Sequence, residues 1–132
     1  MPLVDLIDET FVVAPPAVVA EELKAPALWR RLFPDLECAA YLDRGDEGVR
    51  LTVSGALAGT SEFWVEPWGD GAIVHYYLRA DPAEPLSPRR LIRVGERHRV
   101  RLKEGLNALK DRLEAGRVLG TSRDEATGDS SR

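Results

Sequence analysis

The stretch SPRRLIRVGERHRVRLKEGLNALKDRLEAG, residues 87–116, decides the fold that this sequence predicts. Its apolar residues recur at steps of three and four, which is the spacing of one face of an α-helix. Ser87 suits the N-cap, Pro88 the first helical position and Gly116 the residue after the last turn. We therefore expect a single long helix near the C-terminus.

The predicted buried stripe of this helix contains two unusual residues, Gly95 and His98. The whole stripe consists of Leu91, Gly95, His98, Leu102, Leu106, Leu109 and Leu113. A glycine inside a helix costs about 1 kcal/mol relative to alanine, so we expect another backbone or a ligand to approach Gly95 closely. His98 is expected either to complete a hydrogen bond in the core or to face a ligand.

The residues before this helix predict one strand, two short helices and an antiparallel meander. Residues 3–13 are rich in Val, Ile and Phe, and the prolines that follow open two short helices at 17–24 and 27–33. Four glycine-punctuated strands come next, at residues 36–43, 48–55, 60–67 and 72–80. The predicted fold class is α+β, with about five antiparallel strands and a long C-terminal helix.

Length and composition indicate one globular domain. The chain has 132 residues, of which 44% are hydrophobic and 30% charged, and no apolar run is long enough for a membrane helix. We expect a domain over residues 1–120, followed by a flexible polar tail at 121–132. The first residues lack the basic start and apolar core of a signal peptide, so the cytoplasm is the expected compartment.

The charges are distributed unevenly along the chain. Residues 89–117 hold ten Lys and Arg against four Asp and Glu, although the net charge of the whole chain is −4. Such a basic segment is found in nucleic-acid and membrane-binding proteins. The simpler interpretation is that these cations form the outer side of a helix that lies on an acidic body, and we expect no nucleic-acid partner.

The strand at residues 48–55 fixes the orientation of the next one. Val49, Leu51 and Val53 alternate with polar residues and must face the core. A three-residue loop at 57–59 then pairs Leu51 with Val65, Val53 with Phe63, and Arg50 with Glu66 on the outer side, and this register predicts a continuous apolar face.

The turn WGDG, residues 68–71, decides which face of the last strand is buried. A three-residue loop that ends in Asp70 and Gly71 turns His75, Tyr77 and Arg79 inward, and this is the register that we predict. It also places Trp64 and Tyr76 together on the outer face, as an aromatic patch and candidate dimer surface. A two- or four-residue loop instead buries Val74, Tyr76 and Leu78 and leaves His75 and Arg79 in water.

The order of these elements resembles the helix-grip fold of the START-like (SRPBCC) superfamily, which includes the birch pollen allergen, polyketide cyclases and dehydratases, and lipid-transfer domains. The motifs ETFVVAPPAVV at 9–19, WRRLFPDL at 29–36, GTSEFWVEP at 59–67 and LKDRLEAGR at 109–117 are similar to small members labelled polyketide cyclase/dehydrase-like. The family sheet has seven strands, so the present chain has a shortened sheet.

The resemblance implies a cavity between the curved sheet and the long helix for a lipid, a polyketide or another mostly apolar ligand. We expect this cavity to be lined by Leu51, Val53, Phe63, Val65, His75, Tyr77, Arg79, His98 and Leu102. Arg79 and Tyr77 are predicted to bind a carboxylate or carbonyl oxygen, and His98 and His75 are the candidate catalytic acid or base. No cofactor is expected, and no metal site, because the two histidines are far apart and no Cys/His cluster has zinc spacing.

Three functions are compatible with the sequence. The first is binding of a small hydrophobic or aromatic ligand, and the second is a cofactor-independent cyclase or dehydratase that uses the same cavity. The third is a protein-interaction domain whose cavity is filled by side chains, with a homodimer as the expected assembly. The first two differ in whether a histidine reaches the cavity within hydrogen-bond distance of a second polar group.

Overall fold

The computed structural model describes residues 2–115, and the predicted tail at 121–132 lies outside them. The elements follow the predicted order: β1 (Val4–Val12), α1 (Pro16–Leu23), α2 (Pro26–Leu32), β2 (Leu36–Asp43), a 3₁₀ turn (Gly45–Glu47), β3 (Gly48–Gly55), β4 (Leu57–Trp68), β5 (Gly71–Pro82) and α3 (Pro88–Ala115). The five strands form one antiparallel sheet in the order β1-β5-β4-β3-β2. The predicted α+β class and element order are confirmed.

The core lies between the inner face of the sheet and the three helices. Alternate residues of β3, β4 and β5 are buried because successive side chains of a strand point to opposite faces. The buried side of α3 is made of His98, Leu102, Leu106 and Leu109, with Leu91, Gly95 and Leu113 half-buried. Ser87 caps this helix, since its Oγ accepts a hydrogen bond of 3.3 Å from the Arg90 N–H. No helix among the described residues is long and apolar enough to cross a membrane.

The β4–β5 hairpin has the alternative register, so the predicted inward row of β5 is wrong. Trp68 pairs with Gly71 across a two-residue loop, Gly69-Asp70, and Val65 pairs with Val74. Gly69 has φ +56° and Asp70 does not have positive φ, which is the pattern of a type II′ turn with glycine at its first central position. Val74, Tyr76, Leu78 and Ala80 therefore face the core, and His75, Tyr77 and Arg79 lie on the outer face, where His75 is nevertheless buried rather than in water.

The β3–β4 hairpin also has a different register from the predicted one, but the same faces are buried. Leu51 pairs with Ser61 and Val53 with Gly59, four residues earlier on β4 than predicted. The shift is an even number of residues, so the apolar row of each strand still faces the core. On the outer side, Arg50 lies opposite Glu62 and their side chains are 3.4 Å apart, so the predicted pairing with Glu66 is wrong.

The basic face of α3 covers the free edge of β1. The outward carbonyls of Ile7, Glu9 and Phe11 accept hydrogen bonds from Arg99 Nη1 at 3.2 Å, Lys103 Nζ at 3.1 Å and Lys110 Nζ at 2.7 Å. Two further cations of the helix contact carboxylates, Arg101 with Asp35 and Arg112 with Glu22. The second half of the helix therefore uses its positive charges within the molecule, in agreement with the simpler interpretation of the basic segment.

A close approach to α3 was expected at Gly95 but occurs at Gly105, where the Leu32 side chain of α2 packs against the glycine. A Cβ at Gly95 would lie 3.9 Å from Leu6 Cδ2, which is an ordinary contact. A Cβ at Gly105 would overlap Leu32 Cδ2, because α2 packs directly on α3 at this point. The close backbone approach expected at Gly95 is therefore wrong for the described residues, and the alternative, the approach of a ligand, stays a prediction.

Candidate functional site

A half-open pocket of about 330 Å³ lies between the first half of α3 and one end of the sheet. We call it the mouth pocket. Its residues come from three connections, α2–β2, β3–β4 and β5–α3, from the strand ends next to them, and from α3 itself. They are Phe33, Asp35, Leu36, Ala56, Leu57, Pro82, Ala83, Glu84, Leu86, Val94, Arg97, His98 and Arg101.

Backbone hydrogen bonds join the three connections that form the rim of the mouth pocket. Ala56 N donates to Asp35 O at 3.2 Å, and Ala83 N donates to Ala56 O at 3.0 Å. Gly55, with φ +106°, allows this approach, since a Cβ at that position would lie 2.7 Å from Asp35 O. The rim is thus tied across elements that are distant in sequence.

His98 and Tyr76 form a buried polar pair at the mouth pocket. His98 lines the pocket, and its Nε2 lies 2.8 Å from the Tyr76 hydroxyl on β5. Phe33 from the end of α2 stacks on the His98 ring, with centroids 4.5 Å apart and planes 9° apart. The position of the imidazole is therefore determined by three separate elements, α2, β5 and α3.

Burial controls the protonation of this pair. Desolvation, and next the positive charge of Arg101, lower the pKa of His98 to about 4, while the negative charge of Asp35 acts in the opposite direction. Burial also raises the pKa of the Tyr76 hydroxyl well above its usual range. At neutral pH both groups are uncharged, so the imidazole can accept or donate one hydrogen bond on each side without carrying charge.

Four charged side chains surround the open side of the mouth pocket. Arg101 Nη1 contacts Asp35 Oδ2 at 3.1 Å, so these two charges balance each other. Arg97 lies one turn before Arg101, is exposed, and has no hydrogen bond or ion pair from its guanidinium to the rest of residues 2–115. Glu84 lies on the segment between β5 and α3, and its carboxylate likewise has no ion pair within the described part of the chain.

The structure divides the nine predicted site residues between the two faces of the sheet. Inside, Leu51, Val53, Phe63, Val65 and Leu102 belong to the packed core, and His98 lines the mouth pocket. His75, Tyr77 and Arg79 lie outside and share no cavity with His98. The prediction of a single pocket that contains both histidines and Arg79 is wrong, because the two-residue loop reverses the facing of β5.

His75 has a different environment on the outer face. Its ring lies 4.2 Å from the Trp64 ring, its Nε2 is 2.8 Å from Glu66 Oε1 and its Nδ1 is 3.3 Å from Glu9 Oε2. These contacts connect β1, β5 and β4. The predicted exposed patch of Trp64 and Tyr76 is wrong, since Tyr76 is fully buried on the other face.

Arg79 also has no role at the mouth pocket. Its Nε lies 3.7 Å from Asp5 Oδ2 on the neighbouring strand, and its side chain is 60% exposed. An ion pair as exposed as this contributes little to stability. The predicted anion-binding residue is thus on the surface of the sheet that faces away from the helix.

Most pocket residues were missed because they lie on connections. Asp35, Ala56, Glu84 and Leu86 lie on three different connections and meet only through the fold. The helical spacing of Arg97, His98 and Arg101 was a usable signal, since residues three and four apart share a face. Within residues 2–115, no group of three or more His, Cys, Asp or Glu side chains is arranged to hold a metal ion.

No protein-family model matches the sequence, and no curated protein matches it. Solved structures do match the fold. The structure of the Aha1 dimer from Colwellia psychrerythraea aligns with a TM-score of 0.59 and 13% identity, over 87% of this chain and 99% of that one. A protein from Deinococcus radiodurans aligns with a TM-score of 0.61 and 12% identity, over 86% of this chain and 98% of that one.

A START superfamily protein from Mycobacterium smegmatis is also similar, with a TM-score of 0.56 and 10% identity, over 83% of this chain and 98% of that one. Identities this low establish the fold and nothing finer. The five-stranded antiparallel sheet, the two short helices after β1 and the long C-terminal helix are all present. The chain therefore has the START-like, helix-grip fold.

Proposed function

We propose that this protein binds a small, mostly apolar molecule in the mouth pocket. The observation that carries the proposal is the buried His98–Tyr76 pair beside the apolar walls of the pocket, which include Phe33, Leu57 and Val94. Apolar walls with a few fixed polar groups are the usual composition of a small-molecule site. The helix-grip fold, in which the resemblance implies a ligand between sheet and helix, supports the same location.

The pocket volume limits the ligand. A volume of about 330 Å³ is near the lower end of the range for ligand sites, roughly 300–1,000 Å³. Leu51, Phe63 and Val65 are fully buried and fill the space between the middle of the sheet and α3, so the ligand can occupy only the space at the end of the sheet. We therefore expect a compact aromatic or short-chain molecule that stays partly exposed, rather than a large lipid.

Two variants of α3 test the location of the binding site. Native mass spectrometry of the purified protein, and a thermal-shift screen of aromatic and short-chain aliphatic compounds, should identify a stabilising ligand. Val94→Trp places a large ring in the mouth pocket and should abolish the ligand-induced shift in Tm. Val100→Trp, on the same helix but 55% exposed and outside the pocket, should retain it. The proposal fails if no compound binds, or if both variants bind equally well.

A second candidate function is catalysis of the cyclase or dehydratase type in the same pocket. It is favoured by one observation: His98 is uncharged, lines the pocket and lies 2.8 Å from a second polar group, the Tyr76 hydroxyl. In the tautomer whose Nε2–H donates to the Tyr76 oxygen, the unprotonated Nδ1 of the imidazole can accept a proton from a ligand carbon or hydroxyl next to it. His98→Gln should then abolish turnover of a bound substrate while the ligand still binds, and unchanged turnover would exclude the role.

The predicted homodimer and the predicted compartment stay predictions. An interaction domain with a filled cavity is not supported by a pocket of this volume. A homodimer is suggested by the Aha1 neighbour, which was solved as a dimer, and sedimentation of this chain over a range of concentrations would test it. The cytoplasm remains the expected compartment.

A further inference from the structure

The positive charges of α3 fall into two groups. The five cations from Arg99 to the end of the described helix all contact protein oxygens: Arg99, Arg101, Lys103, Lys110 and Arg112. The side chains of the four before them, Arg89, Arg90, Arg93 and Arg97, have no hydrogen bond or ion pair with any of residues 2–115. The unpaired charges are thus confined to the half of the helix that borders the mouth pocket.

Two of these unpaired arginines, Arg89 and Arg90, lie in the first turn of α3 and do not stabilise the helix there. The N-terminal end of a helix carries a partial positive charge, so cations there are unfavourable, and the first turn of α3 has no acidic residue. Three of the four, Arg89, Arg90 and Arg93, lie outside the pocket lining. Together they produce a positive potential around the open side of the pocket, which would attract an anionic ligand.

Arg97 is the one unpaired cation among them that also lines the pocket. It precedes His98 in the chain, and it lies one turn from Arg101, whose charge is already balanced by Asp35 at 3.1 Å. An exposed guanidinium beside apolar walls can form two parallel hydrogen bonds to a carboxylate at the pocket opening. Resting on the proposed function, we infer that the ligand of the mouth pocket is an apolar carboxylic acid whose carboxylate binds Arg97.

The other charges around the pocket are consistent with a ligand whose carboxylate lies at the opening and whose apolar part lies inside. His98 is neutral, so the inner end of the pocket favours an uncharged part of the ligand. Glu84 lies on the opposite side of the opening and repels an anion, so its carboxylate weakens acid binding and strengthens the requirement for Arg97. The ligand therefore lies with its apolar part against Phe33 and Leu57 and its carboxylate at the opening.

Matched acid and alcohol pairs test the inference without knowledge of the natural ligand. Binding of decanoate and decanol, and of naphthoate and naphthylmethanol, is measured by calorimetry at physiological salt. The full chain should bind each acid about tenfold more tightly than its alcohol. Arg97→Gln should remove this preference and leave alcohol binding unchanged, whereas Glu84→Gln should increase the preference for the acid.

Arg93→Gln is the matched control, because it removes the same charge one turn earlier on the same helix and outside the pocket. It should keep the preference for the acid. Equal losses in Arg93→Gln and Arg97→Gln would overturn the inference, since the effect would then come from general charge. Equal binding of acid and alcohol by the unmodified chain would overturn it while the proposed function stands. Binding of neither compound would contradict the proposed function and the inference together.

Discussion

At the scale of single residues, the contacts of His98 depend on residues that are far apart in the sequence. Tyr76 supplies the hydrogen bond, Phe33 the stacked ring and Arg101 the nearby charge. The helical spacing correctly predicted that His98 lies on the buried side of α3. It could not predict the partner, because Tyr76 was assigned to the opposite face by the incorrect loop length of the WGDG turn.

The low pKa of His98 predicts a specific pH dependence of stability. In the unfolded chain the imidazole has a pKa near 6.5, whereas in the folded protein its pKa is about 4. Between these values the unfolded chain binds a proton that the folded protein excludes, so stability is complete above about pH 6.5 and falls as the pH decreases toward 4. The contribution lost should approach about 3 kcal/mol at the lower limit.

His98→Gln isolates this contribution, since glutamine is neutral and can still hydrogen bond with Tyr76. Free energies of unfolding from urea titrations should be measured at several values of pH from 7.5 to 4. The carboxylates titrate in both proteins, so their effects cancel in the difference. We expect the gap between the two proteins to narrow or reverse on acidification, and parallel curves would contradict the assigned pKa.

At the scale of elements, the buried face of a strand was predictable where apolar and polar residues alternate strictly, as in β3. It was less predictable in β5, where the length of the preceding turn decides which face is buried. Burial of Val74, Tyr76 and Leu78 stabilises by roughly 1.5–3 kcal/mol for each large apolar side chain, more than the difference between two hairpin turns. Burial of these side chains therefore outweighs the turn chemistry of Asp70 and Gly71. The lining of the mouth pocket was beyond prediction, because its rim connections are far apart in the sequence and are brought together only by the folded sheet.

The two glycines of α3 should respond in opposite ways to alanine. At Gly95 a methyl group would lie 3.9 Å from Leu6, so Gly95→Ala should stabilise by about 0.5–1 kcal/mol through helix propensity. At Gly105 the methyl group would overlap Leu32, which is itself fully buried, so Gly105→Ala should destabilise by about 1 kcal/mol or more. Thermal and urea unfolding of both variants measure these changes in stability. Stabilisation by Gly105→Ala would refute the assigned α2–α3 contact, and destabilisation by Gly95→Ala would refute the open space at that position.

At the scale of the whole molecule, the two edges of the sheet are protected differently. An uncovered edge strand is a template for pairing with another chain. The edge of β2 carries a register irregularity between Ala40 and Leu42, which bends the strand. The edge of β1 is regular over nine residues and relies on the side chains of α3 that bind its outward carbonyls. Part of the positive charge concentrated in α3 therefore serves to cover the free edge of β1.

Removal of these three side chains should expose the β1 edge. The triple variant Arg99→Ala, Lys103→Ala, Lys110→Ala loses the hydrogen bonds to Ile7, Glu9 and Phe11, and its free energy of unfolding should fall by on the order of 2 kcal/mol. The matched control, Arg89→Ala, Arg90→Ala, Arg93→Ala, removes the same charge from side chains that bind no described residue. Sedimentation velocity at increasing concentration should detect self-association of the first variant only. If both variants self-associate to the same extent, the cause is the change in net charge, and α3 does not protect the edge.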